Sequence, residues 1–90
     1  MVRIALTLYT RAGCHLCEDM EHALLPVAAE FGCVLERVDI SSDPALEARF
    51  GQEIPVLLVN GRKAFKYRLT ERELRRRLQA ECRERAGAAG

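Results

Sequence analysis

Residues 8–17 read Leu8-Tyr9-Thr10-Arg11-Ala12-Gly13-Cys14-His15-Leu16-Cys17, and this stretch decides the fold. Upstream of it Val2, Ile4, Leu6 and Leu8 alternate with Arg3, Ala5, Thr7 and Tyr9. That period of two predicts a strand over 2–9. Arg11-Ala12-Gly13 breaks the strand. From Cys14 onward the period changes: Leu16, Met20, Leu24, Val27 and Phe31 recur at steps of three and four, the spacing of one helix face. Glu18, Asp19 and Glu21 put negative charge in the first two turns, where it complements the helix dipole. One helix, bent at Pro26, which lacks a backbone donor, is expected to run to Phe31 and end at Gly32, with two shorter helices as the alternative. Two cysteines three residues apart therefore fall where a strand hands over to a helix.

The rest of the chain extends the same alternation of elements. Val34 to Ile40 reads as a second strand, with Val34, Val38 and Ile40 on one face. Ser41-Ser42-Asp43-Pro44 is a helix start, small polar caps followed by proline at the first helical position, and Gly51 stops that helix after Phe50. Val56-Leu57-Leu58-Val59 shows no polar alternation, as expected of a strand covered on both sides. Asn60-Gly61 signals a tight hairpin into a return strand over Arg62 to Tyr67. Thr70-Glu71-Arg72-Glu73 is a capping box, opening a last helix with Leu74, Leu78 and Cys82 on one stripe. The expected fold is α/β, in the order βαβαββα. It makes a four-stranded mixed sheet with helices on both faces, since a helix-linked strand pair is parallel and a hairpin antiparallel.

Ninety residues accommodate one domain, expected over 1–86 with a frayed tail at 87–90. A hydrophobic share of 49% against 30% charged residues excludes a disordered chain. No apolar run reaches the about 18–20 residues of a membrane span, so no membrane partner is expected. Residues 1–61 carry four Arg against nine carboxylates, and residues 62–90 carry ten Lys or Arg against four, for a total of +1. This asymmetry is read as a solvated helix surface, and no nucleic-acid partner is expected. The first residues lack a small-residue cleavage site, and the cysteines are too sparse for a secreted disulfide scaffold. The expected setting is the reducing cytoplasm.

In that setting a CxxC pair is catalytic or metal-binding. Residues three apart on a helix share a side, so the two sulfurs can meet. The first cysteine sits at the helix N-terminus, where free N–H groups favour thiolate over thiol. His15, when protonated, pushes the same way, although it also reads as an ordinary exposed side chain. Cys14 then attacks a disulfide and Cys17 resolves the mixed disulfide. A structural zinc would need a second ligand pair, and Cys33, Cys82, His15 and His22 supply none at pair spacing. Cys33 and Cys82 read as small buried hydrophobes, His22 as inert, and Asp39 as a local turn partner. Ile54-Pro55 opens the third strand, and by pattern alone that peptide is trans.

The same decapeptide, together with Glu53-Ile54-Pro55 and the strand at 56–59, resembles a glutaredoxin and, more broadly, the thioredoxin-like fold, over roughly residues 3–80. The resemblance implies that Pro55 is cis and packs beside Cys14. It implies that the backbone of Ile54 pairs with an extended substrate. It places Arg11 at the position that meets a glutathione carboxylate, and Tyr9 as an aromatic near the active site. His15 belongs with these on the substrate side. The chain departs from the pattern in three places. His15-Leu16 stands for Pro-Tyr, and Glu53-Ile54-Pro55 stands for Thr-Val-Pro. Tyr67-Arg68-Leu69-Thr70 stands where a Gly-Gly pair holds the glutathione amino end, which leaves Arg68 and Arg72 as carboxylate ligands by proximity. The chain is similar to small bacterial glutaredoxin-like proteins with Cys-His-Leu-Cys.

The resemblance implies a monomeric dithiol–disulfide oxidoreductase. It has no metal and no tightly bound cofactor. Its substrates are disulfide-containing proteins or glutathione mixed disulfides, and its electrons come from glutathione or a thioredoxin reductase-type donor. The alternatives are a glutathione-dependent iron–sulfur cluster or metal carrier using Cys14, and a docking domain acting through the basic last helix.

Overall fold

A computed structural model describes residues 3–89, with side chains described as far as Glu84. The elements are β1 (Ala5–Thr10), α1 (His15–Glu30), β2 (Val34–Asp39), a 3-10 turn at Ile40–Ser42, α2 (Pro44–Phe50), β3 (Val56–Val59), β4 (Arg62–Lys66) and α3 (Glu71–Ala89). The order βαβαββα and the four-stranded mixed sheet are those expected. The strands lie β2-β1-β3-β4. β1 pairs in parallel with β2, from Ala5↔Val34 to Thr10↔Asp39, and antiparallel with β3, from Leu6↔Val59 to Tyr9↔Val56. The Asn60-Gly61 hairpin has both residues at positive φ, 50° and 82°, as a two-residue turn matching strand twist requires.

Alternation along β1 and β3 divides the core between two faces. Ile4, Leu6, Leu8, Leu57 and Val59 pack with Met20, Leu24 and Val27 of α1 and with Leu74 and Leu78 of α3. On the other face Tyr9, Val56 and Leu58 pack with Ile40, Leu46 and Phe50. β3 is thus covered on both sides, which is why it carries no polar residue. The helices are capped as their sequences specify. Asp43 accepts from Ala45 N at 2.9 Å, and Thr70 Oγ1 accepts from Glu73 N at 3.1 Å.

Several expectations are corrected. β1 starts at Ala5 rather than residue 2; Val2 lies outside the described residues. On β2, Val34 is 50% exposed and Leu35 packs on the core instead, because β2 is an edge strand whose second face is only partly covered. Ile40 is buried, but from the turn after β2. Asp39 accepts from Ser41 N at 2.9 Å and from its hydroxyl at 2.6 Å, ending the strand and turning Ile40 inward. Those bonds hold the Asp39 carboxyl below its usual range. By contrast α1 is the single helix expected, running through Pro26, which lies on its exposed side. Cys82 is exposed and Cys33 half-buried, so neither is the fully buried small hydrophobe expected. α3 extends to Ala89; Gly90, the last residue of the expected tail, lies outside the described residues.

Candidate active site at the mouth of helix α1

β1 runs into a loop in which Gly13 takes φ 76°, and the chain re-enters regular structure at α1. Cys14 is the N-cap, with extended backbone at φ −96° and ψ 110°. Its Sγ accepts from Cys17 N at 3.1 Å, the bond a capping oxygen would normally make. Its carbonyl accepts from Glu18 N at 3.1 Å and starts the helical ladder. Cys14 and Cys17 are joined as a disulfide, with Cα atoms 5.2 Å apart. Cys14 is half-buried, whereas Cys17 is 2% exposed and faces the core side of α1. The two sulfurs thus differ sharply in access. His15 projects into solvent, its Nδ1 4.0 Å from Glu18 Oε2.

The other expected site residues distribute unevenly. Ile54-Pro55 is cis, as the resemblance implies. Because Tyr9 pairs with Val56, Pro55 lies at the end of β1 that leads to Cys14. The Ile54 N–H already donates to the Phe50 carbonyl at 3.1 Å, so half of the expected pairing edge is engaged within the chain. Tyr9 stacks on Phe50 with ring centroids 4.4 Å apart, turned to the α2 face. Arg11 forms an ion pair with Glu47 of α2. It lines a shallow basin of about 740 Å³ together with Arg49, Gly51, Glu53 and Tyr67.

Two features escaped sequence reasoning. The first is Glu47 itself, 36 positions from Arg11 and unremarkable on its own helix. The second is a groove of about 250 Å³ lined by Leu16, Asp19, Met20, Tyr67, Arg68 and Leu69. Leu16, inside the CxxC, is 37% exposed, and Tyr67 is 43% exposed with its hydroxyl donating to the Gln52 carbonyl at 3.1 Å. Tyr67 has φ 69°, and Arg68 N donates to the Lys66 carbonyl at 2.8 Å, closing a three-residue γ-turn around it. The absence of glycine in Tyr67-Arg68-Leu69 was visible, but the left-handed backbone at Tyr67 was not. Arg68 joins the groove; Arg72 is exposed on α3 and does not line it.

Among the described residues, no group of three or more His, Cys, Asp or Glu side chains is placed to hold a metal ion. Nor is any helix among them long and apolar enough to cross a membrane. The arrangement supplies a sulfur at a helix mouth, a partner sulfur beneath it, and a groove of mixed polarity that begins at Leu16, between the two cysteines.

Comparison with known proteins agrees with this geometry. A thioredoxin from Halobacterium salinarum superposes with a TM-score of 0.63 over 86% of this chain and 73% of its own, at 17% identity, which establishes the thioredoxin-like fold. A structural-genomics target protein from X. campestris is 38% identical, with a TM-score of 0.70, over 83% of this chain and 96% of that one. An uncharacterised protein of Mycobacterium tuberculosis is 32% identical over 80 residues, 83% of this chain and 82% of the relative. Residues 5–79 match the family described as "Glutaredoxin-like domain (DUF836)". With most of the chain inside that match and the CxxC at its helix mouth, the protein belongs to the glutaredoxin-like DUF836 family of the thioredoxin-like fold.

Proposed function

We propose that the protein is a dithiol–disulfide oxidoreductase in which Cys14 is the nucleophile and Cys17 the resolving thiol. The observation that carries this is the bond from Cys17 N to Cys14 Sγ at 3.1 Å, at the first turn of α1. In the reduced protein that N–H and the helix dipole stabilise the Cys14 thiolate. The thiolate attacks one sulfur of a substrate disulfide, forms a mixed disulfide and expels the other sulfur as a thiolate. Cys17 loses its proton, attacks Cys14 and releases the second substrate thiol. Two electrons pass from the dithiol to the substrate, leaving the Cys14–Cys17 disulfide seen here. An external thiol or reductase returns the electrons.

The groove that begins at Leu16 offers Tyr67 together with the charged Asp19 and Arg68, a mixed surface that suits the polypeptide flanking a substrate cysteine. Arg11, by contrast, is already neutralised by Glu47. Together these support disulfide-containing proteins as substrates ahead of glutathione mixed disulfides, with the chain acting as a monomer in the reducing cytoplasm. Pro55 and the Ile54 carbonyl form the edge along which the substrate lies, with Tyr9 and His15 beside it.

The test is to follow reduction of a protein disulfide and of a glutathione mixed disulfide by the wild type, Cys14→Ser and Cys17→Ser. Each is supplied in turn with glutathione plus glutathione reductase and with thioredoxin reductase. Cys14→Ser is expected to be inactive on both substrates, and Cys17→Ser to trap mixed disulfides. The wild-type Cys14 is expected to react with a thiol reagent well below pH 8. Undiminished turnover by Cys14→Ser, or Cys14 titrating like a free thiol near ~8.5, overturns the reading.

A further inference from the structure

The mechanism leaves two thiols unused, and the fold brings both to the end of the sheet opposite the CxxC. Cys33 lies between α1 and β2, its N–H donating to the Ala28 carbonyl at 2.9 Å, and Val34 N donates to the Ile4 carbonyl at 2.9 Å. The half-buried Cys33 packs against the cluster that contains Ile4, Leu74 and Leu78. Cys82 is one helical turn beyond Leu78 on the same face of α3. A separate set of bonds places this turn of α3 over the same end. Asn60 N donates to the Ala5 carbonyl at 2.7 Å, Ala5 N donates to Asn60 Oδ1 at 2.9 Å, and Asn60 Nδ2 donates to Glu81 Oε1 at 2.6 Å. Ala5 is in turn the register partner of Val34, the neighbour of Cys33.

We infer that Cys33 and Cys82 form a second, reversible redox pair whose disulfide staples α3 to the start of β2. The exposed Cys82 is the entry point. Its thiolate attacks one sulfur of a low-molecular-weight disulfide such as glutathione disulfide, and one thiolate leaves. Cys33 then gives up its proton, attacks the Cys82 sulfur and expels the second thiol. The two cysteines lose two electrons and two protons, and the small disulfide is reduced to two thiols. Burial, reinforced by the nearby Cys82, pushes the Cys33 thiol above its ordinary value, which fits Cys33 as the second thiol to react.

The fully reduced protein is treated with excess glutathione disulfide at pH 8, alkylated and mapped by mass spectrometry. Parallel samples are Cys82→Ser and Cys33→Ser. The wild type should yield a Cys33–Cys82 linked peptide in most monomers. Cys33→Ser should instead retain a single glutathione adduct on Cys82. The oxidised wild type should melt about 10 °C above oxidised Cys82→Ser, a gap that closes on reduction with dithiothreitol. Stable separate adducts on Cys33 and Cys82 in the wild type, or a Cys82–Cys82 dimer in place of the internal link, would overturn the inference. Activity at Cys14 is not the readout, so the outcome is independent of the proposed function.

Discussion

Arg11 is paired with Glu47, and Gly51 leaves the room in which they meet. A methyl group at Gly51 would come within 2.5 Å of the Glu47 carbonyl oxygen and 2.9 Å of its Oε1. The cation that the family resemblance directs at a glutathione carboxylate thus holds a carboxylate of its own chain. Neutralising that partner should release it. Glu47→Gln is expected to lower KM for a glutathione mixed disulfide by about three- to tenfold, the effect of one partly exposed charge-assisted hydrogen bond, with kcat little changed. Steady-state kinetics on that substrate decide it, and an unchanged KM shows that the ion pair does not govern access to Arg11.

The difference between what was legible in the sequence and what was not follows the range of the interactions. The hairpin at Asn60-Gly61, the caps at Asp43 and Thr70, and the placement of the CxxC at a helix mouth depend on neighbours a few positions away. All were readable from residue type and spacing. The pairs Arg11–Glu47 and Glu30–Arg75 join positions 36 and 45 apart, and local pattern carries no trace of either. The stripe rule placed Leu74 and Leu78 correctly. It failed at Cys82 because the buried face of α3 ends before that turn.

At Tyr67 residue type and backbone disagree. Its φ of 69° belongs to the left-handed region, where a Cβ costs energy that glycine avoids. Replacing the side chain by alanine and by glycine separates the ring from the backbone. Tyr67→Gly is expected to be more stable than Tyr67→Ala by about 1 kcal/mol, the reverse of the order in a regular helix or strand. Equal denaturant midpoints for the two variants would show that the turn relaxes once the ring is gone.

The sheet face that supports the CxxC helix depends on α3 as well as α1. Leu78 is fully buried against β1 and α1 residues and has no polar duty. Leu78→Ala is expected to cost about 2–5 kcal/mol by lost transfer energy and a residual cavity. In a chain of this size that is a large part of the total stability. Urea unfolding checks it; a loss below about 1 kcal/mol would mean that α3 closes over the gap or contributes little to the core.

Acid should loosen α3 from α1 through one ion pair. Arg75 Nε and Nη2 donate to the two carboxylate oxygens of Glu30, each at 3.0 Å, joining the first turns of α3 to the end of α1. That bidentate bond lowers the Glu30 carboxyl below its ordinary 4.5, with the Arg75 charge acting in the same direction. A carboxyl lowered in the folded state binds fewer protons than in the unfolded chain. Its contribution is therefore complete above the unfolded value and is lost as pH falls through the folded one. Arg75→Ala should melt below the wild type at pH 7, and the gap should shrink steadily on acidification below about pH 4.5. The Glu30 side chain is half exposed, so added salt should narrow the neutral-pH gap as well. A Tm difference that stays constant from pH 7 down to pH 3 would show that Arg75 stabilises the helix pair through its aliphatic stem, by packing rather than by charge.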